Sequence, residues 1–275
     1  MRAEGPLAGR RIVNTRAPHQ AGDFDAMLRA QGAEPLAYPC IDLAPPEDAS
    51  ALDGALRAAA AGAFDWLVLT SANTALALAR RLADLGLEPA ALAGMRVAAV
   101  GPATAQAAEQ MLGVQVDLLP GEYVAEALAA ALRDAPGSRV FLPQSALARP
   151  VLRDGLTQVG LDVTAVDAYR TVCGSGGEDI PALLRRGEID AVTFTSSSTV
   201  RNFVRRLEAE GGDLRALGGV CIAAIGPVTA EAAADAGLAV DVVPGDHTLE
   251  GMVRDLADYY GHSGRTAPPG NEFPG

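Results

Sequence analysis

Short apolar runs alternate with longer amphipathic segments along most of this chain. The run Trp66-Leu67-Val68-Leu69 is one example, and the segment 74–85 that follows it repeats apolar positions at helical spacing before ending at Gly86. Continuous apolar runs predict buried strands, whereas the longer periodic segments predict helices. Strands and helices that alternate at these lengths indicate parallel sheets with helices on both faces.

The same pattern predicts elements in the rest of the chain. Strands are expected at 11–15, 66–69, 95–100, 114–118, 139–142, 191–195, 220–225 and 240–243. Helices are expected at about 20–30, 74–85, 104–112, 124–132, 150–159, 199–210, 229–236 and 249–259.

An internal repeat shows how these elements are organised. The segment Ala98–Ala108 recurs as Ala223–Ala233 with eight of eleven positions identical, an offset of 125 that also aligns Asp65, Thr70, Ser71 and Thr74 with Asp190, Thr195, Ser196 and Thr199. At an offset of 128, Gly9–Val13 matches Gly137–Phe141. Two offsets mean that the copies are arranged in permuted order, which predicts two similar domains.

The permutation predicts that one domain is inserted into the other. The first α/β domain is expected to combine 1–40 with 171–260, and the second to occupy 44–167, with 261–275 as a disordered Gly/Pro-rich tail. The chain then crosses between domains twice, at 38–43 and at 166–171. Two adjacent connections predict a hinge, and a hinge between similar domains predicts a ligand cleft.

Composition and charge exclude several classes of function. The chain has 49% hydrophobic and 20% charged residues, a net charge of −12, and no run of Lys or Arg, so a nucleic-acid partner is not expected. The apolar segments are interrupted by charged residues, which argues against a membrane span. Because the first residues also lack a signal-peptide core, a cytoplasmic location is expected.

Cysteine and histidine usage argues against metal chemistry. The three cysteines are far apart and show no CxxC spacing, and the three histidines are scattered singly. We therefore expect reduced, structural cysteines, with no disulfide framework and no metal site.

Candidate chemistry lies where strands run into helices. Each copy has a hydroxyl-rich turn, Thr70–Thr74 or Thr195–Thr199, and a Gly-Pro-x-Thr turn, Gly101–Thr104 or Gly226–Thr229. Ser and Thr before a helix are first of all capping residues. Free backbone N–H groups at helix starts also bind anions, and four such turns at equivalent places favour a ligand role beside capping.

Other residues carry weaker signals. Tyr169 lies in a predicted crossing, where it could either act beside the cleft or pack its ring on a domain. Arg16 and Arg149 could each pair with a carboxylate or be ordinary surface residues. No nucleotide-binding glycine motif and no Ser/His/Asp or Cys/His arrangement is present, so neither a nucleotide cofactor nor triad chemistry is indicated.

Several motifs, in this order and spacing, resemble the uroporphyrinogen-III synthase family from about Arg10 to Tyr260. They are Val13-Asn14-Thr15-Arg16, Leu69-Thr70-Ser71, Val166-Asp167-Ala168-Tyr169-Arg170-Thr171, Phe194-Thr195-Ser196 and Ala224-Ile225-Gly226-Pro227-Val228-Thr229-Ala230. The resemblance implies two similar α/β domains joined by a two-stranded linker. It also implies a reaction in which hydroxymethylbilane loses water, its ring D is inverted, and the macrocycle closes to uroporphyrinogen III.

The resemblance also assigns roles to residues. It implies that Tyr169 is a general acid for loss of the bilane hydroxyl, and that the substrate is bound by Arg16, Ser71, Thr104, Arg149, Ser196, Ser197, Gly226 and Thr229. The segment Gln144–Ala148 departs from the glycine- and arginine-rich version of some members. The implied enzyme is a cofactor-free, cyclising hydro-lyase.

Two further expectations concern partners. The linear tetrapyrrole is the expected small-molecule partner, with transient hand-over from hydroxymethylbilane synthase, and the protein is expected to be a monomer because no long apolar stripe is left exposed. The competing class is a non-enzymatic two-domain sensor that closes on a small anion.

Overall fold

The computed structural model describes residues 5–122 and 124–263. It divides the chain into two compact units, here called unit 1 (1–42 and 172–275) and unit 2 (43–171). The divisions fall at 42/43 and 171/172, whereas the sequence pattern placed the ends of the domains at 40, 44, 167 and 171. The ligand cleft expected between the domains stays a prediction.

The described elements are as follows in chain order. The strands are β1 (Arg11–Asn14), β2 (Glu34–Ala37), β3 (Asp42–Ala44), β4 (Trp66–Leu69), β5 (Arg96–Ala99), β6 (Arg139–Ser145), β7 (Asp162–Val172), β8 (Ala191–Phe194) and β9 (Cys221–Ala224). The α-helices are α1 (Pro18–Ala30), α2 (Ser50–Ala60), α3 (Ala72–Asp84), α4 (Pro102–Leu112), α5 (Ala125–Arg133), α6 (Val151–Gln158), α7 (Ile180–Arg185), α8 (Ser197–Ala209), α9 (Pro227–Asp235) and α10 (Leu249–Ser263).

Unit 1 is built on a parallel sheet in the order β2-β1-β8-β9. Adjacent residues of one strand pack into different apolar clusters: Val13 joins Phe194 and Phe203, while Ile12 joins Phe24 and Leu256. Because side chains alternate across a strand, both faces of this sheet are buried. Continuous apolar strands are therefore required here.

Unit 2 repeats this arrangement with one extra strand, in the order β3-β7-β6-β4-β5. Its β7, β6, β4 and β5 take the places of β2, β1, β8 and β9, and its strands from β7 to β5 pair in parallel. The register also corresponds, since Ile12 lies opposite Pro35 in unit 1 and Val140 lies opposite Val163 in unit 2. The prediction of two similar α/β domains, each with a parallel sheet flanked by helices, is confirmed.

Two expected strands are reduced to single bridges. The segment 114–118 bridges the sheet only at Leu118 and Ala98, and 240–243 only at Val242 and Ala223. In each unit an aspartate carboxylate takes the place of a ladder carbonyl, because Val97 N–H donates to Asp117 at 2.7 Å and Ile222 N–H donates to Asp241 at 2.9 Å. At each of these two sheet edges, a backbone N–H group is therefore bonded to an aspartate side chain instead of to a neighbouring strand.

The connections and the C-terminal boundary also differ from expectation. The predicted crossing 166–171 is the second half of strand β7, so Tyr169 lies in a strand rather than in a linker. Helix α10 continues through 261–263, which were expected to belong to the tail, and 264–275 lie outside the described residues. None of the helices in the described ranges is long and apolar enough to cross a membrane.

Five elements have no counterpart among the predicted helices and strands: α2, α7, β2, β3 and β7. Helix α2 buries Leu52, Ala55, Leu56 and Ala59, which is helical spacing, but two of these four residues are alanines. Alanine is common on both the buried and the exposed faces of helices in this Ala-rich chain. In α2 the apolar positions therefore do not distinguish the buried face from the exposed one.

Candidate substrate site at the carboxyl ends of the strands

The sequence-predicted site residues lie at or near the carboxyl ends of strands, within each unit. In parallel sheets these ends share one edge, which is where α/β proteins bind ligands. Unit 1 carries Arg16 after β1, Ser196 and Ser197 after β8, and Gly226 and Thr229 after β9. Unit 2 carries Ser71 after β4, Thr104 after β5, Arg149 after β6 and Tyr169 in β7.

The two hydroxyl-rich turns cap helices, as one of the two interpretations predicted. The Ser71 hydroxyl accepts from the Thr74 N–H at 3.2 Å at the start of α3, and the Ser196 hydroxyl accepts from the Thr199 N–H at 3.2 Å at the start of α8. Ser196 also donates its own N–H to the Thr199 hydroxyl, which completes a capping box. Capping is thus a real function of both serines, and substrate binding would have to be an additional one.

Ser197 links the two turns of unit 1. Its hydroxyl donates to the Val228 carbonyl at 3.1 Å, which joins the first turn of α8 to the first turn of α9. The Gly226 turn and the hydroxyl-rich turn are therefore held side by side on one edge of the sheet.

The Gly-Pro turns start helices without any side-chain cap. Gly101 and Gly226 are both in extended conformation at the N-cap position, and Pro follows as the first residue of α4 and of α9. Thr104 and Thr229, which were expected to cap or to bind, do not cap. The first backbone N–H groups of both helices accordingly lack a side-chain acceptor, which is the arrangement that binds anions.

Thr104 and Thr229 are also exceptional among the buried polar residues. Each is 6% exposed, yet neither hydroxyl has a hydrogen-bond partner within 5–122 and 124–263. The other buried threonines are all bonded: Thr15, Thr74, Thr193 and Thr199. Neither hydroxyl oxygen is one of the enclosed, unpartnered polar atoms of the described residues, so the small exposed part of each residue leaves its hydroxyl accessible to a group from outside the chain.

Tyr169 packs its ring in the core of unit 2, while a catalytic role for its hydroxyl stays a prediction. Its ring is 7% exposed and packs in the apolar cluster of unit 2, while its hydroxyl lies 3.4 Å from the Ser71 hydroxyl. The pairing of β6 with β7 skips one residue before Tyr169, because Gln144 lies opposite Asp167 but Ser145 lies opposite Tyr169. A bulge of this kind re-aims the next side chain, and here both Ala168 and Tyr169 are buried.

The two candidate arginines differ in environment. Arg16 is half-buried, its Nε donates to the Gln20 carbonyl at 2.9 Å, and burial lowers the pKa of its guanidinium against the opposing effect of Asp23. Arg149 is exposed and lines a cavity of about 410 Å³ with Thr70, Val100 and Gln144 at the carboxyl edge of the unit 2 sheet. Neither forms an ion pair with a carboxylate of the described residues.

One residue at this edge was missed. His247 is the only non-glycine residue of the described chain with positive φ, at 53°, and its Nδ1–H donates to the Pro244 carbonyl at 2.8 Å. A Cβ at Gly226 would lie 3.4 Å from the His247 ring, so the ring sits against the Gly-Pro turn. The signal was a second repeat, since Pro120-Gly121-Glu122-Tyr123 matches Pro244-Gly245-Asp246-His247.

No group of three His, Cys, Asp or Glu side chains in the described part of the chain is arranged to hold a metal ion. The polar groups at the two sheet edges include hydroxyls, guanidinium groups, an imidazole and backbone N–H groups, with the Glu126 carboxylate and the Gln144 amide in the cavity beside Arg149. This donor set suits an organic anion with carboxylates.

These features define a duplicated two-unit α/β protein with matching helix starts that have no side-chain cap, one in each unit. The family model described as uroporphyrinogen-III synthase HemD matches residues 22–254. A uroporphyrinogen-III synthase of Synechococcus elongatus is 35% identical over 260 residues, covering 91% of this chain and 96% of its own length. The chain belongs to the uroporphyrinogen-III synthase family and is an enzyme of tetrapyrrole synthesis.

More distant relatives agree in name and in fold. A chloroplastic uroporphyrinogen-III synthase of Oryza sativa is 26% identical over 259 residues, covering 90% of this chain and 80% of its own. The crystal structure of uroporphyrinogen-III synthetase from Helicobacter pylori has a TM-score of 0.56 at 15% identity, covering 91% of this chain and 99% of that one. A mutant uroporphyrinogen III synthase from Thermus thermophilus has a TM-score of 0.51 at 23% identity, covering 90% and 98%. These two structures support the fold alone.

Proposed function

We propose that this protein converts hydroxymethylbilane to uroporphyrinogen III as a cofactor-free, cyclising hydro-lyase. The bilane loses its terminal hydroxyl as water, ring D is inverted, and the macrocycle closes. The observation that carries the proposal is the pair Thr104 and Thr229. Each of these largely buried threonines keeps an accessible hydroxyl without a partner within the described residues, beside uncapped helix N–H groups. Such a pair of donors can bind the carboxylates of a substrate that bears them on every ring.

Local donors explain how an acidic protein binds an acidic substrate. The chain carries a net charge of −12, and salt screens surface charges over about 8 Å at physiological ionic strength. Long-range attraction therefore cannot draw the bilane in. Helix N–H groups and hydroxyls act over hydrogen-bond distances and add no net charge, so they bind carboxylates without opposing a cationic intermediate.

Tyr169 is proposed as the general acid. Its hydroxyl donates a proton to the bilane hydroxyl, the carbon–oxygen bond breaks, and water leaves while the positive charge is delocalised on the bilane. The Ser71 hydroxyl, 3.4 Å from that of Tyr169, is placed to donate a hydrogen bond to the phenolate oxygen that forms. A positioned acid of this kind contributes about 10²–10⁴-fold.

Most of the catalytic effect is proposed to come from orientation. The bilane is a flexible chain, and ring D must be attacked at its substituted carbon rather than at the free position. Holding reacting groups in the productive geometry can supply several kcal/mol of the barrier. Arg16, Arg149, Ser196, Ser197 and Gly226 are proposed to hold substrate groups in this way.

The test is a coupled assay that supplies freshly made hydroxymethylbilane and separates type III from type I product. Enzyme-dependent type III is the expected result. Type I alone, the product of spontaneous closure, would contradict the proposal and leave the anion-sensor interpretation.

The same proposal includes a monomer in the cytoplasm that receives the bilane by transient hand-over from hydroxymethylbilane synthase. The lack of a long exposed apolar stripe among the described residues supports the monomer. Light scattering on the purified protein would measure the mass directly, and a dimer would contradict the monomer.

A further inference from the structure

Arg206 is the one buried arginine of the described residues, and the function proposed above does not use it. It lies in α8, is 6% exposed, and stacks on the Tyr38 ring with its guanidinium carbon 3.7 Å from the ring centroid. Its Nε donates to Glu210 at 2.8 Å, and Glu210 also accepts from the Tyr38 hydroxyl at 2.8 Å. Burial and the Glu210 carboxylate both raise the pKa of Tyr38, so Tyr38 stays neutral and keeps donating.

The two remaining donors of Arg206 reach the two connections of the chain. Nη1 donates to the Pro39 carbonyl at 2.7 Å, three residues before the chain leaves unit 1, and Nη2 donates to the Gly176 carbonyl at 2.6 Å, shortly after it returns. One guanidinium group therefore donates hydrogen bonds to both the outgoing and the returning connection, at the place where each joins unit 1.

The two connections also lie directly against each other at this place. The Glu178 N–H donates to the Ala37 carbonyl at 2.8 Å. A Cβ at Gly174 would lie 2.2 Å from the Pro39 carbonyl oxygen, and one at Gly177 would lie 2.1 Å from that of Ala37. Both glycines are needed for this approach, so the segments 37–41 and 174–178 form one closely packed pair.

Only an arginine can make this set of contacts. Its planar fork donates in two directions while its face stacks on a ring, whereas the ammonium of lysine is a compact point charge. Burying the charge is costly, and apolar residues can replace buried ion pairs without loss of stability. Overall stability is therefore a weak reason for Arg206, and the geometry of the two connections is a better one.

We propose that Arg206 is a positioning residue: it fixes the ends of both connections in unit 1 and thereby favours type III over type I product. The inference rests on the proposed function, in which substrate-binding residues are divided between unit 1 and unit 2. The two connections are the covalent links between those residues. If their paths vary, the bilane is held less uniformly during inversion of ring D, and closure without inversion competes better.

The test compares Arg206→Lys with wild type in two measurements. Amide hydrogen exchange should become faster in 37–42 and in 173–178, while exchange in β8 and β9 changes little. The rate of type III formation should fall about tenfold with little change in KM, and the share of type I should rise, because the lost property is orientation. Arg10→Lys is the matched control, since Arg10 also stacks on a tyrosine and pairs with an aspartate, but directly before β1 and away from the connections.

Glu210→Gln provides a second variant if Arg206→Lys folds poorly. It keeps the arginine, the ring contact and both carbonyl bonds, so smaller changes in the same direction are expected. Unchanged exchange in the connections, or an unchanged type III share in a folded variant, would overturn the positioning role. Wild-type protein that makes only type I would instead overturn the proposed function.

Discussion

The two units carry the same turns but use them differently. In unit 2 the helix-capping Ser71 hydroxyl lies 3.4 Å from the Tyr169 hydroxyl, whereas in unit 1 the equivalent Ser196 is bonded to Thr199 and lies 3.0 Å from Ser198. Both units keep a largely buried threonine at the Gly-Pro turn whose hydroxyl has no partner within 5–122 and 124–263. The two sheet edges therefore carry matching turns, and the proposed general acid lies in unit 2 alone.

The largest effect is expected from removing the Tyr169 hydroxyl, the group that distinguishes unit 2 from unit 1. Tyr169→Phe keeps the packed ring but loses the hydroxyl, so the turnover rate should fall about 10²-fold or more while substrate binding changes little. The measurement is the steady-state rate of type III formation. Tyr260→Phe is the matched control, because its hydroxyl donates to the Asp190 carbonyl in unit 1. Turnover close to that of wild type would remove Tyr169 from the acid role.

The next test concerns the threonine hydroxyl that each unit carries at its Gly-Pro turn. Thr104→Val and Thr229→Val each remove a hydroxyl that has no partner among the described residues, so the free energy of unfolding should change little. If the hydroxyl binds substrate, KM should rise about three- to tenfold. Thr193→Val is the control with the opposite signature, because its hydroxyl donates to the Val13 carbonyl in the core. Destabilisation of the two turn variants with unchanged KM would show a structural role instead.

The two capping serines allow a direct comparison of the units. Ser71→Ala and Ser196→Ala each lose an N-cap, which should cost about 1 kcal/mol of unfolding free energy in both. Only Ser71→Ala also loses the contact with Tyr169, so it should reduce turnover more. Denaturant unfolding and type III rates measured on the same preparations would show this, and equal losses of turnover would contradict a special role for unit 2.

The smallest expected effect is on the free energy of unfolding at acid pH. Asp65 accepts hydrogen bonds from Arg139 and from the Ser138 N–H, which hold the pKa of its carboxyl far below its ordinary value. The folded state therefore binds a proton less readily than the unfolded state. The stabilisation is present above the unfolded pKa of about 4 and is lost as the pH falls toward the folded pKa.

Asp65→Asn should lower stability at neutral pH and flatten its fall below pH of about 4. Urea unfolding at a series of pH values measures both. Asp134→Asn, at the exposed end of α5, serves as the control. A variant with the same acid slope as wild type would exclude Asp65 as a source of it.

The sequence alone was enough for the duplicated fold and for most of the candidate residues. Buried parallel strands appear in the sequence as continuous apolar runs. The repeat offsets of 125 and 128 indicate the permuted chain order. Both features can therefore be recognised from the sequence alone. Hydroxyl and Gly-Pro turns could be placed on one edge because parallel strands end there. His247 was within reach as well, through the repeat that aligns it with Tyr123, but helical and strand periodicity do not report on loops.

Tertiary structure decided the features that depend on residues distant in the chain. The bulge at Ala168 and the approach of Tyr169 to Ser71 arise from strand pairing, which leaves no mark in local composition. The unpaired hydroxyls of Thr104 and Thr229 are visible only once every other buried hydroxyl has been matched with its partner. Arg206 carries no local sequence signal, because its partners at Tyr38, Pro39 and Gly176 are brought to it only by the packing of unit 1.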